Sequence, residues 1–376
     1  MRVSTENELA EAIRDARGPL RVRGGGTRDV GRPVAGEVLD VSMLSGIALY
    51  EPEALTLVAR AGTPLAEVEA ILAGERQRLA FEPGDWRGLL GTRGEATVGG
   101  MVAANVSGPR RVQAGACRDA LLGVRFVDGT GAIVKNGGRV MKNVTGYDLV
   151  KLMAGSWGTL GVLTEVSMKV LPMPETEATL VLEGMTDAQA LVAMTRALGS
   201  PYDVTGAAHA GGRTLIRIEG FAQSVAYRTG RLERLLAPFA EMQIEVDAEK
   251  SRRLWRTVRD VEVFRERAGD VWRVSVKPSD APEIAVRLGG EAVMDWGGGL
   301  IWALVPEGTD ARARACSFGG HATLFRGAEA TRRILPAFQP EAGPVASISA
   351  AIRRKFDPRG ILNRGLMAPV DQEVSA

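Results

Sequence analysis

Glycine constrains this chain more than any other feature. Between Gly84 and Gly161 there are 17 glycines in 78 residues, more than double the usual share of about 7 per cent. Such a stretch in an apolar chain lets backbone N–H groups approach something closely, in φ/ψ regions that a Cβ forbids. Its centre is Val98 to Asn105, VGGMVAAN, and a shorter run, Arg23-Gly24-Gly25-Gly26-Thr27-Arg28, precedes it. Consecutive N–H groups in the shorter loop can form a nest for a phosphate, with Arg23 or Arg28 adding charge. Taken alone, that loop reads as a plain strand-to-strand turn. The two loops together suggest one extended, phosphate-bearing ligand lying between them.

At 376 residues the chain is too long for one ordinary core and reads as two domains or three. A net charge of +2 gives no reason to expect nucleic acid as a partner. Cys117 and Cys316 are far apart, without CxxC or zinc spacing, and read as reduced thiols of a cytoplasmic protein. The opening MRVSTENELAEAIRDARG lacks the apolar region of a secretory signal. No run of 18 apolar residues occurs, so no bilayer span is expected, and peripheral attachment is left open.

The pattern predicts an opening helix with Thr5 and Glu8 at capping-box spacing, then a short strand, Leu20 to Val22. Thr63 is expected to cap a helix carrying Pro64 at its first position. Phe81 to Gly115 reads as a long functional loop. Asp128-Gly129-Thr130-Gly131 reads as a hairpin turn, and Val162 to Val170 as a strand. Leu171-Pro172-Met173-Pro174 marks a domain boundary. Beyond it glycine thins, and strands alternate with helices. Thr186 with Gln189 caps one helix, and a charged helix runs from about Ser251 to Arg267. The expectation is an α+β fold in three parts: residues 1–174, a cap of 175–330 with an antiparallel, ferredoxin-like sheet, and a returning segment, 331–376.

Two familiar nucleotide folds are set aside by motif. Gly155, Gly158 and Gly161 lack the GxGxxG spacing and precede a strand rather than a helix. No GxxxxGKS or GxxxxGKT occurs. A nucleotide held by loops of a non-Rossmann α+β domain remains.

Here the residues resemble a known family. RGGGT, TVGGMVAAN, KNVTGYDLVKLMAGSWGTLGVLTEV and a terminal FDPRGILNRG are similar, in that order, to FAD-linked oxidases of the vanillyl-alcohol oxidase type, with their two-lobed, PCMH-type FAD-binding domain. The short middle region, with WRTVRDVEVF and DVWRVSVKP, is most similar to E-type subunits of bacterial glycolate oxidases. The resemblance implies non-covalent FAD lying extended between two lobes. Its pyrophosphate would meet the N–H groups of Arg23, Gly24, Gly25, Gly26, Thr27 and Arg28. Pro83, Gly84, Thr97, Gly99, Gly100, Ala104, Asn105 and Ser107 would follow the flavin and ribityl chain. Gly158, Gly161 and Val162 would close on the adenine side, and Asn363 would return near the ring. A bulky residue at Gly25 is expected to put a Cβ where the backbone must approach phosphate, with strain if φ is positive there, and so to harm cofactor affinity more than the fold.

The departures from the family matter as much. Relatives that oxidise 2-hydroxy acids carry GHAGDGNLH and EHG motifs that hold a divalent metal. This chain has only His209 and His321, so no such metal is expected. His321 reads first as a structural histidine and otherwise as a catalytic base. Arg273, between Trp272 and Val274, reads either as a bidentate carboxylate ligand or as half of a salt bridge. The tryptophans read as core, and Arg252, Arg253, Arg256 and Arg259 as a solvated helix face. The resemblance implies a subunit of a glycolate-oxidising complex, with a homologous FAD-containing D-type subunit and an iron–sulfur F-type subunit as partners. It would be cytoplasmic, or held at the inner face of the membrane through that complex. Two rivals stand beside it: a self-sufficient FAD oxidase of another small 2-hydroxy acid, and a non-catalytic structural subunit.

Overall fold

A computed structural model describes residues 1–139 and 146–367. The KNVT of the KNVTGYDLV motif and nearly all of the ten terminal residues, expected to fray, lie outside the described residues.

The chain opens with helix Glu6–Asp15, whose capping box of Thr5 and Glu8 is formed as expected. Its apolar stripe, Leu9, Ala10 and Ile13, packs on a parallel pair of strands, Leu20–Arg23 and Glu37–Asp40. The terminal segment joins this small core through Ile361 and Leu362, and Leu20 bridges to Leu362 in parallel. A second sheet has six strands. Its path runs Ile47–Glu51, Thr56–Arg60, Val162–Pro172, Leu121–Val127, Ile133–Gly137, and Gln77–Leu79 pairs with the far end of Val162–Pro172. The Asp128 turn closes the expected hairpin, with Asp128 Oδ1 accepting from the Thr130 and Ala132 N–H groups.

Helix Leu65–Gly74 departs from the expected cap. Thr63 donates its hydroxyl to the carbonyls of Arg60 and Gly46, so Pro64 begins the helix without a side-chain cap. The 81–115 stretch is not one loop either: it folds into the short helices Arg87–Leu90, Val98–Ala103 and Arg111–Ala114. Each is too short for periodicity to reveal.

The rest of the chain builds an eight-stranded antiparallel sheet from two βαββαβ units. The first is Thr176–Leu182, helix Asp187–Leu198, Val204–Ala210, Arg213–Gly220, helix Ala222–Leu236 and Met242–Glu245. The second is Asp270–Val276, helix Ala281–Leu288, Glu291–Asp295, Leu300–Val305, helix Ala311–Ala315 and Gly320–Arg326. Each has the ferredoxin-like spatial order 4-1-3-2, and their second strands pair edge to edge, His209 against Met294 and Ala210 against Val293. The helices form for legible reasons. Asp187–Leu198 has a complete Thr186–Gln189 capping box and buries Ala190, Ala193, Met194 and Ala197, an i, i+3, i+4, i+7 stripe. The charged helix Ala248–Arg259 ends earlier than its composition suggests, because Val261 takes a left-handed φ of 53°.

Strand alternation sorts the sheet into two faces. Trp272, Val274, Met294, Ile301 and Ala322 cluster beneath the helices of their own unit. Val271, Val293, Leu300, Trp302 and Phe325 join the core of the six-stranded half instead. This second face meets the N-terminal half along a broad seam, and what it carries decides the chemistry available there. Trp255, Trp272 and Trp302 are core, as expected, whereas Trp296 is half-buried at the seam.

Candidate functional site

The principal cavity, about 450 Å³, lies between the parallel strand pair and the six-stranded half. Arg23, Gly24, Gly25, Gly26, Thr27 and Arg28 line it, with Thr97, Gly99, Gly100, Gly158, Gly161, Val162 and Asn363. Pro83, Gly84, Ala104, Asn105 and Ser107 do not line it. Asn105, at φ 47°, accepts from the Arg118 N–H, and Ser107 accepts from the Cys117 N–H, so both hold the 115–118 turn. Gly84 lets the Trp86 indole pass beneath it to donate to the Arg259 carbonyl.

The loop after strand Leu20–Arg23 has an unusual backbone. Among the described residues, none of the N–H groups from Gly24 to Arg28 finds an acceptor. Five adjacent donors without partners, with Gly26 at φ 68°, form a cradle for an anion. Two guanidiniums add to it. The Nε atoms of Arg28 and Arg32 are sealed from solvent and lack partners, and both residues line the cavity. Burial pushes the Arg28 guanidinium down to about 10, against the pull of Asp85. An uncompensated buried cation is costly unless an anion joins it.

The glycines mostly serve the protein's contacts with itself. A Cβ on Gly25 would stand 1.5 Å from the Glu95 carbonyl oxygen, and one on Gly99 would stand 2.7 Å from the Ala61 Cβ. Gly100 does face the cavity, 3.7 Å from Arg28 Nη1. Asn363 is the knot of the site. Its Oδ1 accepts from Val22 N (2.8 Å), its Nδ2 donates to the Trp157 carbonyl (2.8 Å), and its backbone N donates to Leu20. It thus ties the terminal segment to both walls.

A second cluster lies on the seam. Register places Arg273 opposite Trp302 and Thr323, Ser275 opposite His321 and Leu300, and Val293 opposite Trp302. Arg273, His321 and Asp295 therefore share the sheet face turned to the N-terminal half. Among the described residues Arg273 has no acidic partner, so the salt-bridge alternative is not realised there; its guanidinium stacks on Trp296 (5.1 Å) and Trp302 (5.8 Å). Arg111, from the N-terminal half, stacks on the same Trp296 ring at 4.3 Å. Trp296, at φ 57°, donates its indole N–H across the seam to the Gly108 carbonyl. Burial, then the charge of Arg111, pushes Arg273 down to about 10. Burial, Arg273 and Arg111 together lower His321, leaving it neutral at pH 7. Burial pushes the Asp295 carboxyl up to about 7. The two histidines do not converge: His209 lies on the opposite sheet face, between Thr214 Oγ1 (2.8 Å) and Asp187 (3.3 Å).

Sequence reasoning missed Arg111, Asp295 and Trp296. The signal was the DWGGG turn, an aromatic followed by three glycines, which only a constrained strand connection requires. It also missed a buried charge network beside this cluster. Glu82 pairs bidentately with Arg217, and Arg110 bidentately with Glu219, each pair crossing the seam. Arg78 joins Glu219, and Arg217 stacks on Trp255 at 4.5 Å. Of the helix arginines expected on a solvated face, Arg259 is only partly exposed and pairs with Asp260, which accepts from Asp85 N across the seam.

Comparison with known proteins adds the following. Residues 1–137 match the family described as FAD binding domain. The chain is 36% identical over 364 residues to glycolate oxidase subunit GlcE of Escherichia coli (strain K12), covering 96% of this chain and 95% of that one. Glycolate oxidase subunit GlcD of Bacillus subtilis (strain 168) is 34% identical over 166 residues, 43% of this chain and 34% of its own length. A solved structure of alkyldihydroxyacetonephosphate synthase, 15% identical, superposes with a TM-score of 0.69 over 97% of this chain and 76% of that one. That likeness concerns the fold alone.

Proposed function

The chain belongs to the FAD-linked oxidoreductases of the glycolate oxidase subunit GlcE type, and on that premise we propose that it serves as an FAD-binding subunit of a complex oxidising glycolate to glyoxylate. The single observation that carries the cofactor reading is the run of unpartnered N–H groups from Gly24 to Arg28 beside the partnerless Nε atoms of Arg28 and Arg32. These residues fit a dinucleotide. The loop and both arginines would hold the diphosphate, while Thr97, Gly100, Gly158, Gly161 and Val162 would flank the rest and Asn363 would fix the walls. FAD, when bound, supplies the acceptor for the hydride of an alcohol oxidation. The chain's own residues bind, orient and exclude water. Asn105, Ser107, Pro83, Gly84 and Ala104 act one step behind, by shaping the segment that follows helix Val98–Ala103.

On the substrate side we assign Arg273 to the carboxylate of a small 2-hydroxy acid and His321, neutral at pH 7, to a hydrogen bond at the pocket's open edge. We assign it two partners: a homologous FAD-containing D-type subunit, a reading supported by the likeness to GlcD, and an iron–sulfur F-type subunit to which electrons pass. Among the described residues no helix is long and apolar enough to cross a membrane, and we assign the chain to the cytoplasm, or to the membrane's inner face through its partners. Among the described residues no three metal-binding side chains are grouped. From the lack of the histidine-rich motifs in the sequence, which has only His209 and His321, we infer that the isolated chain binds the acid but oxidises it slowly, and that fast turnover requires the complex.

Anaerobic mixing of the purified chain with glycolate, following flavin absorbance, tests this. Slow bleaching that accelerates at least tenfold when the partner subunits are added is the expected outcome. Rapid, chelator-insensitive bleaching by the chain alone would instead place the whole reaction in this subunit.

A further inference from the structure

Three groups on the seam are left unused by the structure around them. Arg111 and Arg273 bring two guanidiniums to one indole, 4.3 and 5.1 Å from the Trp296 centroid, and neither has a carboxylate partner among the described residues. After burial, the charge of Arg111 lowers Arg273 further. Three other arginines on this seam are matched by carboxylates: Arg217 by Glu82, and Arg110 and Arg78 by Glu219. The pair on Trp296 is the exception, and an anion between the two guanidiniums would remove the repulsion.

The third group is Asp295. It begins the turn after strand Glu291–Asp295, is 2% exposed, and its Oδ1 accepts from the Trp296 N–H at 2.7 Å. Its Oδ2 has no hydrogen-bond partner among the described residues. Glu82 and Arg217 act on it from the charge network, and Arg273 from the neighbouring strand. Burial, with Glu82 adding to it, outweighs Arg217 and Arg273 and pushes the carboxyl up to about 7, so that it can accept or donate. The strained Trp296-Gly297-Gly298 turn, with φ of 57°, 65° and 97°, holds the indole and this carboxylate against the N-terminal half.

We propose that Arg111 and Asp295 complete a small-acid pocket across the seam, in which Arg111 joins Arg273 on the ligand's carboxylate and Asp295 Oδ2 receives its α-hydroxyl. Trp296 and Trp302 would be the walls, and two guanidiniums stacked on indoles beside one carboxyl suit a short 2-hydroxy monocarboxylate. The inference rests on the acid-oxidising role given above, yet its geometry is independent of the dinucleotide cavity. Because one arginine comes from each half, an occupied pocket also holds the two halves together.

Calorimetric titration of the purified chain with glycolate, and separately with acetate, tests this, with the flavin spectrum of each sample recorded first. Glycolate is expected to bind more tightly than acetate. Arg111→Met and Arg273→Met should each weaken glycolate at least tenfold, with Arg111→Lys partly restoring it. Asp295→Asn should erase most of the preference for glycolate while leaving acetate unchanged. Glycolate binding unaltered by Arg111→Met, or a preference untouched by Asp295→Asn, overturns the pocket. Absence of glycolate heat from a flavin-loaded sample also overturns it while sparing the cofactor reading. A flavin-free sample that still binds glycolate in the expected pattern upholds the pocket and counts against the cofactor. Circular dichroism of each variant identifies any that fails to fold, and Arg111→Lys then decides.

Discussion

Replacing Arg217 by methionine is expected to cost about 3–5 kcal/mol of stability and to loosen the docking of the eight-stranded sheet on the N-terminal half. Arg217 is 1% exposed and makes a bidentate pair with Glu82, 3.0 and 2.9 Å, while donating to Thr205. A buried ion pair is weak evidence of net stabilisation, but removing one partner strands the other, and breaking buried pairs costs about that amount. The Glu82 carboxyl shows the coupling. Burial alone would raise it, yet Arg217 and Arg110 outweigh burial and hold it down to about 2. A carboxyl lowered on folding stabilises above its unfolded value, near 4.5, and loses that contribution as pH falls through the folded value. The contribution of this pair should therefore be insensitive to pH from 8 to 5 and weaken between about 4 and 2. Urea melts of Arg217→Met, Glu82→Gln and the double variant at pH 7 measure this. The double variant should be less destabilised than the sum, because the second change removes the stranded charge. Additive losses would mean that the pair is not coupled.

Gly25→Val is expected to abolish flavin retention, and its mechanism differs from the one the sequence suggests. The sequence points to a Cβ set against phosphate, with strain if φ is positive there, but the left-handed residue is Gly26. What forbids a side chain at Gly25 is the Glu95 carbonyl, 1.5 Å from where the Cβ would stand. Valine must therefore push the 23–28 loop off the 94–97 segment, and the N–H cradle moves with it. Overpacking of this kind costs about 1–3 kcal/mol in the fold itself, so the flavin-free protein should melt at lower temperature too. Gly100→Ala is the contrast. Its Cβ meets only Thr97 Oγ1 at 3.2 Å and Arg28 Nη1 at 3.7 Å, so most flavin should be retained. Flavin-to-protein ratios after gel filtration, with thermal melts of both variants, check this. A Gly25→Val chain that keeps full flavin would show that the cradle does not hold it.

The contrast between the two glycines indicates what sequence could and could not convey. The α+β class, the capping boxes at Thr5 and Thr186, and the glycine-lined cleft were legible, because caps and glycine loops are local. The duplication of the βαββαβ unit was only half legible: the strands Glu291–Asp295 and Gly320–Arg326 are short and glycine-flanked, and their pairing depends on partners far along the chain. The seam was illegible for the same reason. Arg111 and Arg273 are 162 positions apart, and nothing in either local sequence announces that both will stack on Trp296. Glu82 and Arg217 likewise look like ordinary surface charges until the sheet face is known. Asn105 misled because an amide after a glycine loop suits a ligand and a turn equally, and here its oxygen serves the turn.

The account's central claim is that this chain holds FAD by its loops without a covalent bond. Cys117 is fully buried and its thiol is pushed up by burial, and neither His209 nor His321 lines the dinucleotide cavity. The most direct measurement is an absorption spectrum of the purified chain, followed by acid precipitation and a spectrum of each fraction. The account predicts flavin peaks in the native protein and all of the flavin in the supernatant, with FAD as its form. A native protein without flavin absorbance, or flavin that stays with the pellet, would contradict it.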